Sequence, residues 1–312
     1  MRNNLMLTVA AVSLLAAGSS ALAGTWVPAN VPSGGSNFVM FGVNDKNVVT
    51  GGYTNSSGLV QGVIGPFDGS KYKSFDDGGG STQPRGLNDK SWTVGFDTAT
   101  LQQWERSPTG TLKNITQGGN PVDIALAMGI NSSNIFAGDY SNSSGIEVGG
   151  IGTKYKYTKA IKLSSKLTTY GYAGRGINTA GDVAGWYYDS SGIQHGYAIV
   201  SGTTVKIDYP NAYYTVVEGL NDKGIASGQW EDVSGVIHGF VYNIAKKKYK
   251  NLDAPGASFT QVWGINNHNV VSASAAEASG TESFAYCMST TGCPAAGLYR
   301  HTGHGKAVPQ PN

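Results

Sequence analysis

The chain has 312 residues, of which only 13% are charged, about half the share usual in soluble domains. The net charge of +2 excludes the strong field that draws a protein to nucleic acid or to an anionic membrane. Its 45 glycines, with polarity carried by Ser, Thr, Asn and Tyr, favour short strands and tight turns over helices, and the plentiful β-branched and aromatic residues exclude disorder.

The first predicted element is a signal peptide over residues 1–23. Arg2 supplies the positive start, Leu5 to Ala17 the apolar segment, and Ala21-Leu22-Ala23 a small-x-small cleavage site, so the mature chain starts near Gly24. No later segment approaches the roughly 20 apolar residues that span a bilayer. A secreted or periplasmic protein is expected, with no membrane span after signal cleavage.

From there the sequence is periodic. Gly-aliphatic-Asn triplets begin at Gly42, Gly86, Gly129, Gly176, Gly219 and Gly264, at intervals of 44, 43, 47, 43 and 45 residues. Seven residues past each Asn stands Gly51, Gly95, Gly138, Gly185, Gly228 and, as the exception, Ala273. The unit from Thr215 to Asp253 shows what each repeat encodes. Thr215 to Leu220 is a strand, Asn221-Asp222-Lys223-Gly224 a hairpin turn, and Ile225 to Trp230 a second strand. Val236 to Asn243 and Tyr249 to Asp253 complete an antiparallel four-stranded meander. The third unit has an expanded linker, Thr153 to Tyr170, which accounts for the longest interval.

Repeats of this length and content predict an all-β fold, a six-bladed β-propeller over residues 24–293 with a C-terminal tail at 294–312. Thr25-Trp26-Val27-Pro28 resembles the fourth-strand segment Asn251 to Gly256, and the sixth repeat is clear only through its third strand. The N-terminal strand is therefore expected to close the sixth blade and remove two exposed edges. An extra strand at Gly297 to His301 is the expectation for the tail. An open β-solenoid is the rival, disfavoured because its repeats are usually shorter and need caps.

Units of the form Gly-Ile-Asn, turn, apolar-x-Gly, turn, His-Gly-aromatic resemble the bacterial extracellular HAF-repeat family. The match is fullest at Gly176 to Tyr197 and Gly219 to Phe240. In the other units Gln61, Gln103, Val148 and Ser283 stand in the His position. The resemblance implies an exported repeat protein of propeller type, and implies no substrate.

Cys287 and Cys293 enclose a short turn and are expected to form a structural disulfide in an oxidising compartment. Asn44, Asn88, Asn131, Asn178, Asn221 and Asn266 are read as openers of hairpin turns through Asx bonds, against the alternative of a ligand ring for a cation or sugar. Asp45, Asp89 and Asp222 lack the spacing of a dedicated Ca²⁺ loop. His195 and His238 are repeat-encoded and expected to hydrogen-bond a neighbouring turn or blade. Tyr53, Tyr140, Tyr187 and Trp230 are read as packing between blades, against an exposed stacking platform for sugars. No metal or cofactor is expected.

The position just before each triplet is the one that varies: Phe41, Arg85, Met128, Arg175, Glu218 and Trp263. If this strand is innermost, these six side chains ring the central channel, where they either read a ligand or plug the lumen. No nucleophile elbow, Walker loop or zincin motif is present. The expected function is non-catalytic binding, at the channel mouth, of an extracellular or periplasmic carbohydrate, peptide or surface component. The alternatives are a glycan-active hydrolase or lyase at the same mouth and a purely structural surface protein.

Overall fold

The computed structural model describes residues 24–294, apart from 118–119, 122–124, 165–166, 168–169, 278–279 and 290–291. The expected signal peptide, and the tail with its expected strand at Gly297 to His301, lie outside the described residues.

Turns set the period. Each inner strand ends one residue before the triplet Asn, whose side-chain oxygen accepts the backbone N–H four residues on and, except at Asn178, the one two residues on; for Asn221 these are Ile225 and Lys223, both at 3.0 Å. This Asx geometry places the third residue after the Asn in the left-handed region in every blade: Asn47, Ser91, Asn134, Gly181, Gly224 and Asn269, with φ of 55°, 62°, 57°, 84°, 67° and 61°. Gly and Asn carry that conformation at least cost, which is why five of the six are one or the other.

Between the turns the chain forms 26 strands, with no helix among the described residues. Blade 1 comprises β2 (Ser36–Val43), β3 (Val48–Thr54), β4 (Val60–Pro66) and β5 (Lys73–Phe75), and blade 2 comprises β6 (Thr82–Leu87), β7 (Thr93–Asp97), β8 (Gln103–Arg106) and β9 (Leu112–Asn114). Blade 3 is β12 (Ala125–Ile130), β13 (Ile135–Ser141), β14 (Glu147–Thr153) and β15 (Lys156–Ala160). Blade 4 is β16 (Tyr172–Ile177) to β19 (Thr203–Ile207), and blade 5 is β20 (Tyr214–Leu220) through β21 (Ile225–Glu231) and β22 (Ile237–Asn243) to β23 (Lys248–Leu252). Blade 6 has β24 (Phe259–Ile265), β25 (Val270–Glu277) and β26 (Gly280–Cys287), and its fourth strand is β1 (Thr25–Pro28). Thr25 pairs Cys287 and Pro28 pairs Phe284, so the N-terminal strand closes the ring as its sequence suggested.

Blade 3 departs from the template. The segment expected to be an expanded linker contains its fourth strand, β15. Two short strands, β10 (Thr116–Gln117) and β11 (Asn120–Pro121), extend the same sheet outward to six strands, β10 running parallel to β15. Nothing in the repeat pattern encodes that addition.

The core lies between blades. Ala184, Ala198 and Ile207 of blade 4 pack against Val217, Leu220 and Phe240 of blade 5. Across the closure, Phe38, Met40 and Val49 pack against Val27, Val270 and Ala285. Cys287 and Cys293 are bonded, with Cα atoms 5.6 Å apart, and fix the end of β26 beside that seam.

Candidate functional site

A single backbone device places the six variable side chains. In five of the six inner strands the ladder skips one residue just before the triplet Gly. Val217 pairs Gly228 and Gly219 pairs Ser227, leaving Glu218 as a bulge. The same skip falls at Phe41, Arg85, Met128 and Arg175. In blade 6 the skip spans both Trp263 and Gly264. A β-bulge bends its strand and re-aims a side chain. Here it turns six residues toward the axis, where they line one cavity together with the triplet Gly and aliphatic residues.

The triplet glycines serve close packing between blades. A Cβ on Gly42 would stand 2.9 Å from the Arg85 carbonyl oxygen, and one on Gly86 would stand 2.7 Å from that of Met128. They let each inner strand approach the next blade's bulge. The second-strand glycines are likewise packing glycines; a Cβ on Gly51 or Gly228 would collide with the inner strand's own carbonyls. The exception, Ala273, belongs to the blade whose skip is two residues wide.

The triplet asparagines do open Asx turns, and they also join the blades. Each Nδ2 donates to the backbone carbonyl of the next blade's Asn: Asn44 to Asn88 at 3.1 Å, Asn88 to Asn131 at 2.8 Å, Asn131 to Asn178 at 2.9 Å. The ring closes through Asn178 to Asn221 at 3.5 Å, Asn221 to Asn266 at 3.0 Å and Asn266 to Asn44 at 2.9 Å. Asp45, Asp89 and Asp222 pin neighbouring turns; Asp222, for instance, accepts the Thr179 N–H at 2.7 Å. Val43, Leu87, Ile130, Ile177, Leu220 and Ile265 form an aliphatic collar that separates this polar end, about 430 Å³ with its open mouth included, from the cavity lined by the bulge residues.

The bulge-lined cavity, about 560 Å³ with its open mouth included, is chemically uneven. One side is aromatic and cationic. The Arg85 guanidinium lies 3.8 Å from the Phe41 ring centroid and 5.0 Å from that of Trp263, and these two rings meet edge to face at 5.0 Å. Arg85 as a whole is half-buried, since the lumen reaches it, but its Nε and Nη1 atoms are shut away from solvent with no hydrogen-bond partner. Burial lowers its pKa to about 9; the charge of Glu218 opposes the shift and that of Arg175 adds to it. Arg175 also has a buried, unpartnered Nε, and its guanidinium sits 5.7 Å from the Trp186 ring. Among the described residues no ion pair joins Glu218 to either arginine.

A second tier supports the first. It is the residue after each second-strand glycine or Ala273: Gly52, Phe96, Asp139, Trp186, Gln229 and Ser274. Phe96 lies 5.2 Å from Arg85, and Ser274 accepts a hydrogen bond from Trp263 Nε1 at 3.1 Å. Asp139 is buried against Arg175 and hydrogen-bonds the Glu147 carboxyl; burial pushes its pKa well up, opposed by Arg175 and reinforced by Glu147. Sequence reasoning missed this tier, although the same signal was present, a position that varies inside an otherwise fixed register.

The other candidates are structural. His195 Nδ1 meets Asp208 at 3.0 Å and its Nε2 meets Asp189 at 3.2 Å; His238 makes the equivalent contacts with Asp253 and Asp232. Each His thus clips the second turn to the end of the fourth strand. Of the four units lacking the His, the first and third have Asn55 and Asn142 at the turn in place of Asp, while the second keeps Asp97 there. Tyr53, Tyr140 and Tyr187 are buried, while Trp230 is half-buried and stacked on Tyr209 at 4.1 Å.

No family model and no curated protein matches the chain. Among solved structures, a putative TolB from Agrobacterium tumefaciens is similar at a TM-score of 0.50 and 10% identity, over 67% of this chain and 74% of that one. A gluconolactonase from Xanthomonas campestris is similar at 0.49 and 9%, over 85% and 98%. A six-bladed fungal lectin is similar at 0.42 and 10%, over 69% and 76%. At such identities these likenesses concern the fold alone, and the fold is a six-bladed β-propeller.

Proposed function

We propose that the chain is an exported, non-catalytic binding propeller that takes a ligand with an anionic group at the bulge-lined mouth of its channel. The observation that carries this reading is Arg85, a guanidinium lining the cavity that, among the described residues, no carboxylate pairs. A ligand carboxylate in the lumen meets that charge through charge-assisted hydrogen bonds from the part of the guanidinium that faces the cavity. The neighbouring Phe41 and Trp263 offer apolar area to the rest of the ligand. The alternative, a plugged channel with its charges paired internally, is opposed by the unpaired arginines lining an open cavity.

A hydrolase or lyase at the same place needs two proton-transfer groups, and among the described residues Glu218 is the one carboxylate lining the cavity. The binding reading is therefore preferred. Export and the HAF-repeat resemblance belong to the same proposal, supported by the N-terminal sequence and by the disulfide. N-terminal sequencing of the natural protein recovered outside the cytoplasm checks the export, with Gly24 as the expected first residue.

The binding test is a thermal-shift screen of the mature chain against small carboxylic acids and their uncharged amides. Carboxylates, acidic sugars included, are expected to raise Tm while the amides do not, and Arg85→Met is expected to abolish the response. Equal responses to acid and amide refute the anion site.

A further inference from the structure

The cavity holds charges of both signs, and the ring order fixes how they face each other. Inner strands contact in the sequence of the blades, and the asparagine ring runs through the same six in order. In a six-membered ring the second and fifth blades are opposite. Arg85 is on blade 2 and Glu218 on blade 5, so cation and anion confront each other across the lumen, and among the described residues no ion pair joins them. Arg175, on blade 4, stands next to Glu218 in the same ring, so among the described lining residues the lumen carries two guanidinium groups and one carboxylate, with Glu218 facing Arg85. Phe41 and Trp263 complete an apolar wall next to Arg85, and Met128, on the blade opposite Trp263, is buried and apolar.

A ligand with only an anionic group answers half of this arrangement. It would sit in a narrow lumen facing the Glu218 carboxylate, a like-charge contact that costs affinity. A ligand carrying both signs answers both sides. The geometry points to a small dipolar ligand, a carboxylate held by Arg85 and an ammonium held by Glu218, on an apolar body that packs against Phe41 and Trp263. This is the chemistry of a free amino acid with an apolar side chain. The inference rests on the anion-binding reading and narrows it, because an acidic sugar or fatty acid satisfies Arg85 and leaves Glu218 opposed.

Three matched probes test it by calorimetry on the mature chain. Phenylalanine has both charges, 3-phenylpropionate lacks the ammonium and phenethylamine lacks the carboxylate. Phenylalanine is expected to bind about tenfold or more tightly than either analogue, a factor that corresponds to about 1.4 kcal/mol. Glu218→Gln, which keeps the side-chain shape, is expected to remove that advantage over 3-phenylpropionate. Arg85→Met is expected to lose both. Equal binding of phenylalanine and 3-phenylpropionate by the unaltered protein overturns the dipolar inference while leaving the anion site standing. Failure of both probes at millimolar concentration overturns the two together. The comparison in the unaltered protein decides the matter without any variant, and near-ultraviolet dichroism of the tryptophans confirms that each variant tested is folded.

Discussion

At the scale of single residues, the central feature is a cation kept where it destabilises the fold. Arg85 sits between Phe41, Phe96 and Trp263 with its Nε and Nη1 unpaired, and burial lowers its pKa to about 9. Replacing a buried, unpaired charge by an apolar side chain of similar length is often stabilising. Arg85→Met is therefore expected to raise stability by about 1–2 kcal/mol in a denaturant titration while removing anion binding. A loss of stability instead would show that Arg85 is a structural plug. Gly86 gives the opposite case. Its missing Cβ leaves room for the Met128 carbonyl, so Gly86→Ala is expected to cost about 1–3 kcal/mol in the same titration. The sequence displayed the six variable positions because their neighbours repeat. It did not display why they point inward. A bulge is a skipped ladder bond, and no residue type announces it; only the close inter-blade approach explains the Gly that follows. The inter-blade half of each asparagine's work was hidden for the same reason, since its acceptor lies 43 to 47 residues ahead for Asn88, Asn131, Asn178 and Asn221.

At the scale of elements, blade 3 differs most from its neighbours. Its second strand, β13, carries Asp139, which is buried against Arg175 and shares a hydrogen bond with Glu147. Tyr157, Tyr172 and Tyr197 surround the same region, each with its hydroxyl pKa raised chiefly by burial. The sign of the pH effect follows from linkage. Folded Asp139 keeps its proton to higher pH than the unfolded chain does. Its contribution to stability is full below the ordinary aspartate value of 3.8 and is lost as pH rises through the raised folded value. Asp139→Asn cannot ionise, so its Tm relative to the unaltered protein is expected to improve as pH rises above the ordinary aspartate value of 3.8. A difference that stays constant as pH rises would contradict the assignment. The strand and turn order of each blade was legible from Gly, Asn and β-branched spacing. The additions β10 and β11 were not, because strands of two residues leave no periodic trace and pair outside the repeat.

At the scale of the whole molecule, closure rests on β1. Trp26 packs on Tyr286 at 4.9 Å and on Phe284 at 6.0 Å, while Val27 is buried in the seam. Removing residues 24–30 takes away the fourth strand of blade 6 and exposes the edge of β26. Exposed edges pair with other chains. The shortened chain is expected to self-associate, read as a mass above the monomer of the intact mature chain by light scattering at equal concentration. Unchanged mass would show that the seam holds without β1. The closure was legible because the first strand looks like a fourth strand lacking its own blade. The channel's division into a polar end, an aliphatic collar and an uneven mouth was not, since it depends on stacking six equivalent positions at three levels. The measurement that bears most directly on the whole account is a crystal structure of the mature chain grown with 3-phenylpropionate. The account predicts the carboxylate at hydrogen-bonding distance from Arg85, about 2.7–2.9 Å, with the phenyl ring against Phe41 and Trp263. A ligand seated at the asparagine end or on the outer blades, or Arg85 paired directly with Glu218, would contradict it.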